Sequence, residues 1–558
     1  MLKNIFITIL LICSVSGVWG QKSVKVKVSG NVITTDGVPA EFINIQLKNT
    51  FYGGTSDGKG YFEFMAPAGQ YTMIVQSIAA HRREFPVTIE EGKENHFADI
   101  EIRENINQLE QVVVTGQFSP QSMRNSLYRV RTVNSEQIRQ KAPTSVQSLL
   151  NTEIGIRLSN DMALGETDFE LMGMSGNNVK ILLDGIPLID RGATKQSLSQ
   201  LDVNSIERVE IVEGPMSVVY GTDALAGVIN IITKKGDGYS EENTWRVGAR
   251  VQEESMGKEY DFFKDKGLHN ESIDLGFNHK SGLFVNGGYT RNNHGGWQGD
   301  LTGREKRWHP KDQALMNGMF GFQNRNMNVW YRLDFLDEKI FGPNNGSELQ
   351  PEKVSDKDFL TKRYTHQLQS DWKLDNRLDV HAALSYQDYK RRTRTTESDL
   401  STGEKWLSSA EASQDITQYK AWIARATVAW NIAPEFSVQP GVEYQWTQGE
   451  GGRIDGTPKV SDLAFFLSAE YKPWEWLSLR PGVRTFIVAD YDAPIAIPSV
   501  LTKFKLTKHM DLRLSYAYGF RSPTLQELYF SFHNDNHDID GNPDLKAEYS
   551  HNITGSVA

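Results

Sequence analysis

Apolar and polar residues alternate with a period of two along most of this chain, the pattern of β-strands that bury one face. Residues 24–32, 43–47, 61–64, 71–76, 85–89 and 97–102 form short runs separated by turn signals at Asp36-Gly37, Asp57-Gly58 and Ala68-Gly69. They predict a small all-β sandwich. Residues 206–212 alternate apolar with charged side chains and stop at Gly214-Pro215, a strand running into a turn. Breaks at Tyr220-Gly221 and Ala226-Gly227 precede a β-branched run at 228–233, so this stretch reads as part of a small α/β domain.

From about Trp245 the alternation becomes rich in aromatic residues, and the connections fall into two kinds. Brief polar turns occur at 279–282, 324–326, Asp375-Asn376, Ala433-Pro434 and 507–509. Long polar segments at 291–313, 338–363, 391–415, 449–460 and 521–545 separate them. Residues 272–278 and 283–289 form one clear hairpin. Short turns at one rim and long loops at the other are the mark of a transmembrane barrel. A soluble sandwich or propeller would not sort its connections this way. Trp330, Trp372, Trp422, Trp430, Trp446, Trp474 and Trp476 fall near strand ends, where an interfacial girdle belongs. About fourteen strands can be counted before the chain stops inside one, at 549–558. An open strand edge in lipid would leave backbone groups unsatisfied, so the barrel is expected to be incomplete.

Composition removes several classes of function. The 558 residues imply more than one domain, and the net charge of −10 offers no basic footprint for nucleic acid. Residues 1–20 read as a secretory signal, with Lys3, an apolar core at 5–18, and a cut ahead of Gln21. Cys13, the one cysteine, lies in that signal, and bulky Ile12 argues against a lipoprotein cut there. The mature chain then has no disulfide framework and no cysteine-based metal site. No later run of about eighteen apolar residues follows, which does not count against a barrel, whose strands hide from hydropathy windows.

The literal sequence names a family. IERVEIVEGPMSVVYGTDALAGVINIITKK at 206–235, with EQVVVTG at 110–116, closely resembles the plug domain and TonB box of TonB-dependent outer-membrane transporters. Residues 146–150, Ile154-Gly155 and VKILLDGIP at 179–187 also look like plug signatures, in the family's order, over about 108–236. The amino-terminal sandwich is similar to the carboxypeptidase-regulatory-like extension of Bacteroidetes-type members. The resemblance implies a mainly β protein: signal 1–20, β-sandwich 21–104, linker with TonB box 105–117, α/β plug 118–238, and antiparallel transmembrane β-barrel 239–558. The barrel would hold about 14 of the family's about 22 strands. It also implies active import of a scarce metal chelate across the outer membrane, with the extension in the periplasm, and no enzyme activity. Energy would come from a TonB-type coupling protein that pairs with Glu110, Gln111, Val112, Val113, Val114 and Thr115 by strand addition. Outer-membrane lipid would surround the barrel, and some relatives also carry a lid lipoprotein.

Candidate chemistry is sparse, and no catalytic arrangement is visible. Gly53-x4-Gly58-Lys59 imitates a phosphate loop, but Gly60 replaces the magnesium-binding hydroxyl and the segment reads as a hairpin. His81 and Glu84 imitate a zinc-peptidase pair without a third ligand. Asn536, Asp538 and Asp540 begin a calcium loop, but Ala547 stands where its bidentate glutamate belongs, and Glu548 is one place late. The segment Phe520-Arg521-Ser522-Pro523, His533, His537, Asn542-Pro543-Asp544-Leu545 resembles the FRAP/NPNL-type loop of haem-uptake members. That resemblance implies His533 or His537 as axial iron ligands, and Arg521 or Tyr529 meeting a propionate or chelate oxygen. Similar segments occur in siderophore carriers, and the plug has no histidine to serve as a partner ligand. An iron–siderophore complex is therefore the expected cargo, with haem and cobalamin as alternatives. The cargo is a transported ligand, not a resident cofactor. A receptor or adhesin that binds without import is the reading from a different class, which accumulation of labelled ligand would distinguish.

Overall fold

The computed structural model describes residues 25–558 apart from 35–38, 41–42, 78–79, 94, 103–111, 124–125, 162–165, 190–195, 237–241, 376, 411, 492, 508–509 and 535–536. The expected signal, Glu110, Gln111 and the turn at Asp36-Gly37 lie outside the described residues, as do the side chains of His81, Val112 and His537. The chain divides into two compact units, 1–112 and 113–558.

The first unit is a sandwich of two sheets. Lys25–Thr34 pairs antiparallel with Tyr61–Pro67 and parallel with Asn95–Ile102. The other sheet runs Gly53–Thr55, Asn44–Leu47, Gly69–Ser77, Ala80–Ile89. Its alternating inward residues, among them Val28, Ile45, Phe62, Met73 and Ile102, make one core. Gly58-Lys59 is a hairpin turn in which the Asp57 carboxylate accepts from the Lys59 and Tyr61 amides, so the phosphate-loop imitation is a turn.

In the second unit, a five-stranded sheet runs Val130–Asn134, Ile206–Glu213, Gly227–Thr233, Val179–Leu183, Ile186–Pro187. Gly227–Thr233 and Val179–Leu183 pair in parallel and are buried throughout, which is why they read as unbroken apolar runs. Helices Ser135–Lys141 and Val146–Leu150 cover the sheet, each opened by a reciprocal capping box, at Asn134/Gln137 and Ser145/Ser148. A Cβ at Gly227 would lie 2.2 Å from the Val212 carbonyl, so only glycine fits that strand crossing.

Around this α/β domain runs a wall of fourteen sequential antiparallel strands, from Thr244–Glu254 to Glu548–Val557, with short Lys405–Leu407 attached to Leu378–Asp399. The sheet is open, since its first and last strands are not paired with each other. Its outer face is apolar (Val247, Ile273, Leu275, Val285, Phe465 and Leu467 are exposed). Its inner face is polar: Asn270, Thr290, Gln313, Glu338, Gln367 and Gln387 are buried. That inversion of a soluble protein's sidedness is what a strand wall in lipid requires.

Two expectations are corrected here. Strands Met327–Gly342, Lys353–Lys373 and Leu378–Asp399 run deep into segments expected to be loops. Above the apolar band both strand faces are polar, so the alternation fades while the backbone ladder continues. Trp330 is not part of a girdle. It is 1% exposed, on the inner face, with Lys235 Nζ 4.5 Å from its ring centre. Trp372, Trp430, Trp474 and Trp476 do face outward at the short-turn rim.

The wall holds the inner domain by its backbone. Gln313, Arg363, Gln369, Gln387, Arg425 and Arg480 donate to the carbonyls of Ser199, Gln200, Asp184, Pro187, Val219 and Gly116, at 2.6–3.0 Å.

Candidate functional site

At the long-loop end, side chains from several strand ends and loops enclose a cavity of about 590 Å³, within the size range of small-molecule sites. The two-residue period puts Ser355, Lys357 and Phe359 on one inward face, and Arg391, Thr393 and Thr395 on the next strand's. Tyr419, His309, Arg453, Gln526, Phe530 and Phe532 complete the lining. The Arg391 guanidinium lies 4.7 Å from the Phe359 ring centre, and that of Arg453 lies 4.4 Å from Phe532. Both pairings are cation–π contacts. Against these two cations and Lys357 stands one carboxylate, Asp415, held by the Gly452 amide at 2.8 Å and the Thr417 hydroxyl at 3.2 Å. Arg453 Nε and Gln526 Oε1 are buried without a hydrogen-bond partner among the described residues. A cationic, aromatic chamber with an unused donor and acceptor suits an anionic ligand that carries flat rings.

Arg521, Tyr529 and His533, singled out in the sequence, sit beside this cavity rather than in it. Arg521 is engaged within the chain: its guanidinium makes four hydrogen bonds to Glu527 and Glu548, at 2.7–3.2 Å. Tyr529 packs against Tyr389, Tyr419, Ile454 and Leu525. His533 lies on the exposed hairpin of Ser531–Asn534 and His537–Asp540, with Nδ1 2.5 Å from Asp538 and Nε2 3.0 Å from Asp540. Both ring nitrogens are thus engaged. The cavity residues were missed because they come from distant strands whose upper ends look like loop.

At the opposite end of the α/β domain, the segment 113–116 is docked. The Glu210 carboxylate is fully buried and accepts from the Val114 amide at 3.1 Å, the Thr115 amide at 2.8 Å and the Thr115 hydroxyl at 2.6 Å. Asn230 donates to the same hydroxyl at 2.9 Å. Gly116, at φ 71°, donates to the Tyr220 hydroxyl at 3.1 Å, and a Cβ there would strike Met216 at 2.4 Å. Burial pushes the Tyr220 phenol up to about 12, so the hydroxyl stays neutral at physiological pH. The fully buried Val113 completes the docking.

An apolar-outside strand wall around an α/β domain, with a cavity at one end and a docked segment at the other, is the architecture of a membrane β-barrel with an internal plug. Comparison with known proteins agrees. Residues 122–228 match the TonB-dependent receptor plug domain, 28–114 the CarboxypepD_reg-like domain, and 439–557 the TonB-dependent receptor-like β-barrel. The vitamin B12 transporter of Vibrio vulnificus (strain CMCP6) is 32% identical over 139 residues, covering 25% of this chain and 23% of that protein. The ferrienterobactin receptor of Escherichia coli (strain K12) is 33% identical over 125 residues, covering 20% of this chain and 17% of that protein. The match thus spans less than a quarter of either relative. The crystal structure of a mutant ferric enterobactin receptor of Pseudomonas aeruginosa has the same fold, with a TM-score of 0.58, 16% identity, 77% of this chain covered and 68% of that one. The chain thus carries the plug domain and β-barrel segments of the TonB-dependent receptors, and the solved structure supports the fold.

Proposed function

We propose that the protein imports an iron–siderophore complex across the outer membrane, powered by a TonB-type partner that engages residues 110–115. The observation that carries this reading is the outer cavity, where Lys357, Arg391 and Arg453 face one carboxylate and two of the cations lie on phenylalanine rings. An anionic ferric chelate whose iron-binding oxygens sit on aromatic rings complements both features. Its iron is already saturated, so the cavity reads the outer shell of the complex and no protein ligand to the metal is needed. The haem reading has less support, because both nitrogens of His533 are held by neighbouring carboxylates. In this reading the amino-terminal unit lies in the periplasm, and lipid covers the exposed apolar face of the wall.

The test is binding and uptake of radiolabelled ferric tricatecholate, ferric trihydroxamate, haem and cobalamin by cells expressing the protein. Arg391→Ala and Arg453→Ala should each remove a charge-assisted contact of about 1.5–3 kcal/mol, weakening tricatecholate binding roughly tenfold to a hundredfold. Tight binding of the uncharged trihydroxamate, or of cobalamin, with no effect of either substitution would refute the assignment. Binding without accumulation would favour a receptor that does not import.

A further inference from the structure

The arginine that resembles a ligand contact in sequence is tied up in the structure, and what it ties is one wall of the cavity. Arg521 ends strand Met510–Arg521, and its side chain is 11% exposed. Two of its hydrogen bonds reach Glu527, at 2.9 and 3.1 Å, and two reach Glu548 on the next strand, at 2.7 and 3.2 Å. Glu527 belongs to the short helix Leu525–Tyr529, where it also closes the capping box with Thr524. This helix and the residues after it supply Gln526, Phe530 and Phe532 to the cavity.

The same stretch is stitched to the loop that carries Arg453. The Ser531 amide donates to the Arg453 carbonyl at 3.2 Å, and the Asp455 amide to the Tyr529 carbonyl at 2.9 Å. Below it, the Ser522 amide donates to Thr222 of the plug at 2.7 Å. Arg453, Gln526, Phe530 and Phe532 are therefore tied to one another, and the Arg521 fork anchors them to the wall together with the packing of Tyr529 and Leu525 on Tyr389 and Tyr419.

We propose that Arg521, with Glu527 and Glu548, is a positioning clasp that sets the affinity of the cavity without touching its ligand. The inference rests on the cavity being the ligand site, as proposed above. A bidentate fork suits this role because it fixes angle as well as distance, which a lysine at 521 would not. A five-residue helix has little stability of its own, so its position depends on such tertiary ties.

The experiment uses Glu527→Gln in the full chain. Glutamine keeps the capping box but removes the charge and one acceptor from the fork. Two quantities are read: concentration dependence of ferric tricatecholate uptake by cells, and hydrogen exchange of residues 524–532 in the ligand-free protein. The clasp predicts half-saturation rising about tenfold with maximal uptake unchanged, together with faster exchange confined to 524–532. Arg521→Lys should give the same pattern more weakly. Three results would overturn it: weakened affinity with unchanged exchange, which would make Glu527 a direct contact; faster exchange with unchanged affinity; or a fall in maximal uptake alone. If the wild-type protein takes up no ferric chelate, the functional reading fails, while the exchange arm still decides whether the clasp holds this wall.

Discussion

Replacing Glu210 by glutamine should release the segment 113–116 from the plug while leaving the plug folded. The carboxylate is fully buried and receives the Val114 amide, the Thr115 amide and the Thr115 hydroxyl, besides Arg208 Nε at 2.9 Å. Glutamine keeps one acceptor oxygen but turns the other into an NH₂ group that faces donors. At least one charge-assisted bond, about 1.5–3 kcal/mol, is lost. At about 1.4 kcal/mol per factor of ten, the released population should rise roughly tenfold to a hundredfold. Amide exchange in purified protein reads this directly: Val114 and Thr115 should exchange at least about tenfold faster. Residues 228–232 in the plug's central strand should keep their protection. Unchanged exchange at 114–115 would show that the carboxylate is not what holds the segment. Equal acceleration in the central strand would show that Glu210 serves plug stability instead.

Val113→Pro should abolish energised uptake and leave ligand binding at the cell surface intact, because proline removes a backbone donor from a strand-forming segment; uptake at the wild-type rate would remove the coupling role. The His533 imidazole is held above its ordinary 6.5, first by its hydrogen bond to Asp538 and next by the Asp540 charge. A raised value means the ion pair is fully formed below pH 6.5 and is lost as pH rises through the higher, folded value. A fluorophore on the 531–540 hairpin should therefore gain mobility over that range, and Asp538→Asn should move the transition to lower pH. A pH-independent signal would refute the pairing.

What could be read from the sequence followed how far each signal lies along the chain. The plug strand Ile206–Glu213 was legible because its alternation ends at Gly214-Pro215, and Gly227–Thr233 because a strand buried on both faces is simply apolar. The hairpin joining Leu268–Asn278 to Leu283–His294 was legible because its turn is local. The cavity was not. Phe359, Arg391, Tyr419 and Arg453 meet only through the curvature of the wall, and the polar strand ends that carry them lack the lipid-facing half of the alternation. Trp330 was readable from parity, since it is two residues from Arg332, whose charge belongs inside. The partners of Arg521 were not legible, because a motif names a residue without naming its partners, and here they are carboxylates of a short helix and of the next strand.

The seating of the plug has a consequence for how such a protein can diversify. The wall side chains address main-chain oxygens at Asp184, Pro187, Ser199, Gln200 and Val219. Every amino acid presents that oxygen, so these particular bonds do not depend on the side chain at the position, although the Gln200 amide also bonds Glu338 and Arg363 of the wall. At these points the socket recognises the path of the inner domain rather than its spelling, and a few plug side chains, Gln200, Asp202 and Asn204 among them, are read as well. Apical residues can be exchanged to suit a new cargo while the gasket between domain and wall is kept, so selectivity and sealing can evolve on separate sets of atoms.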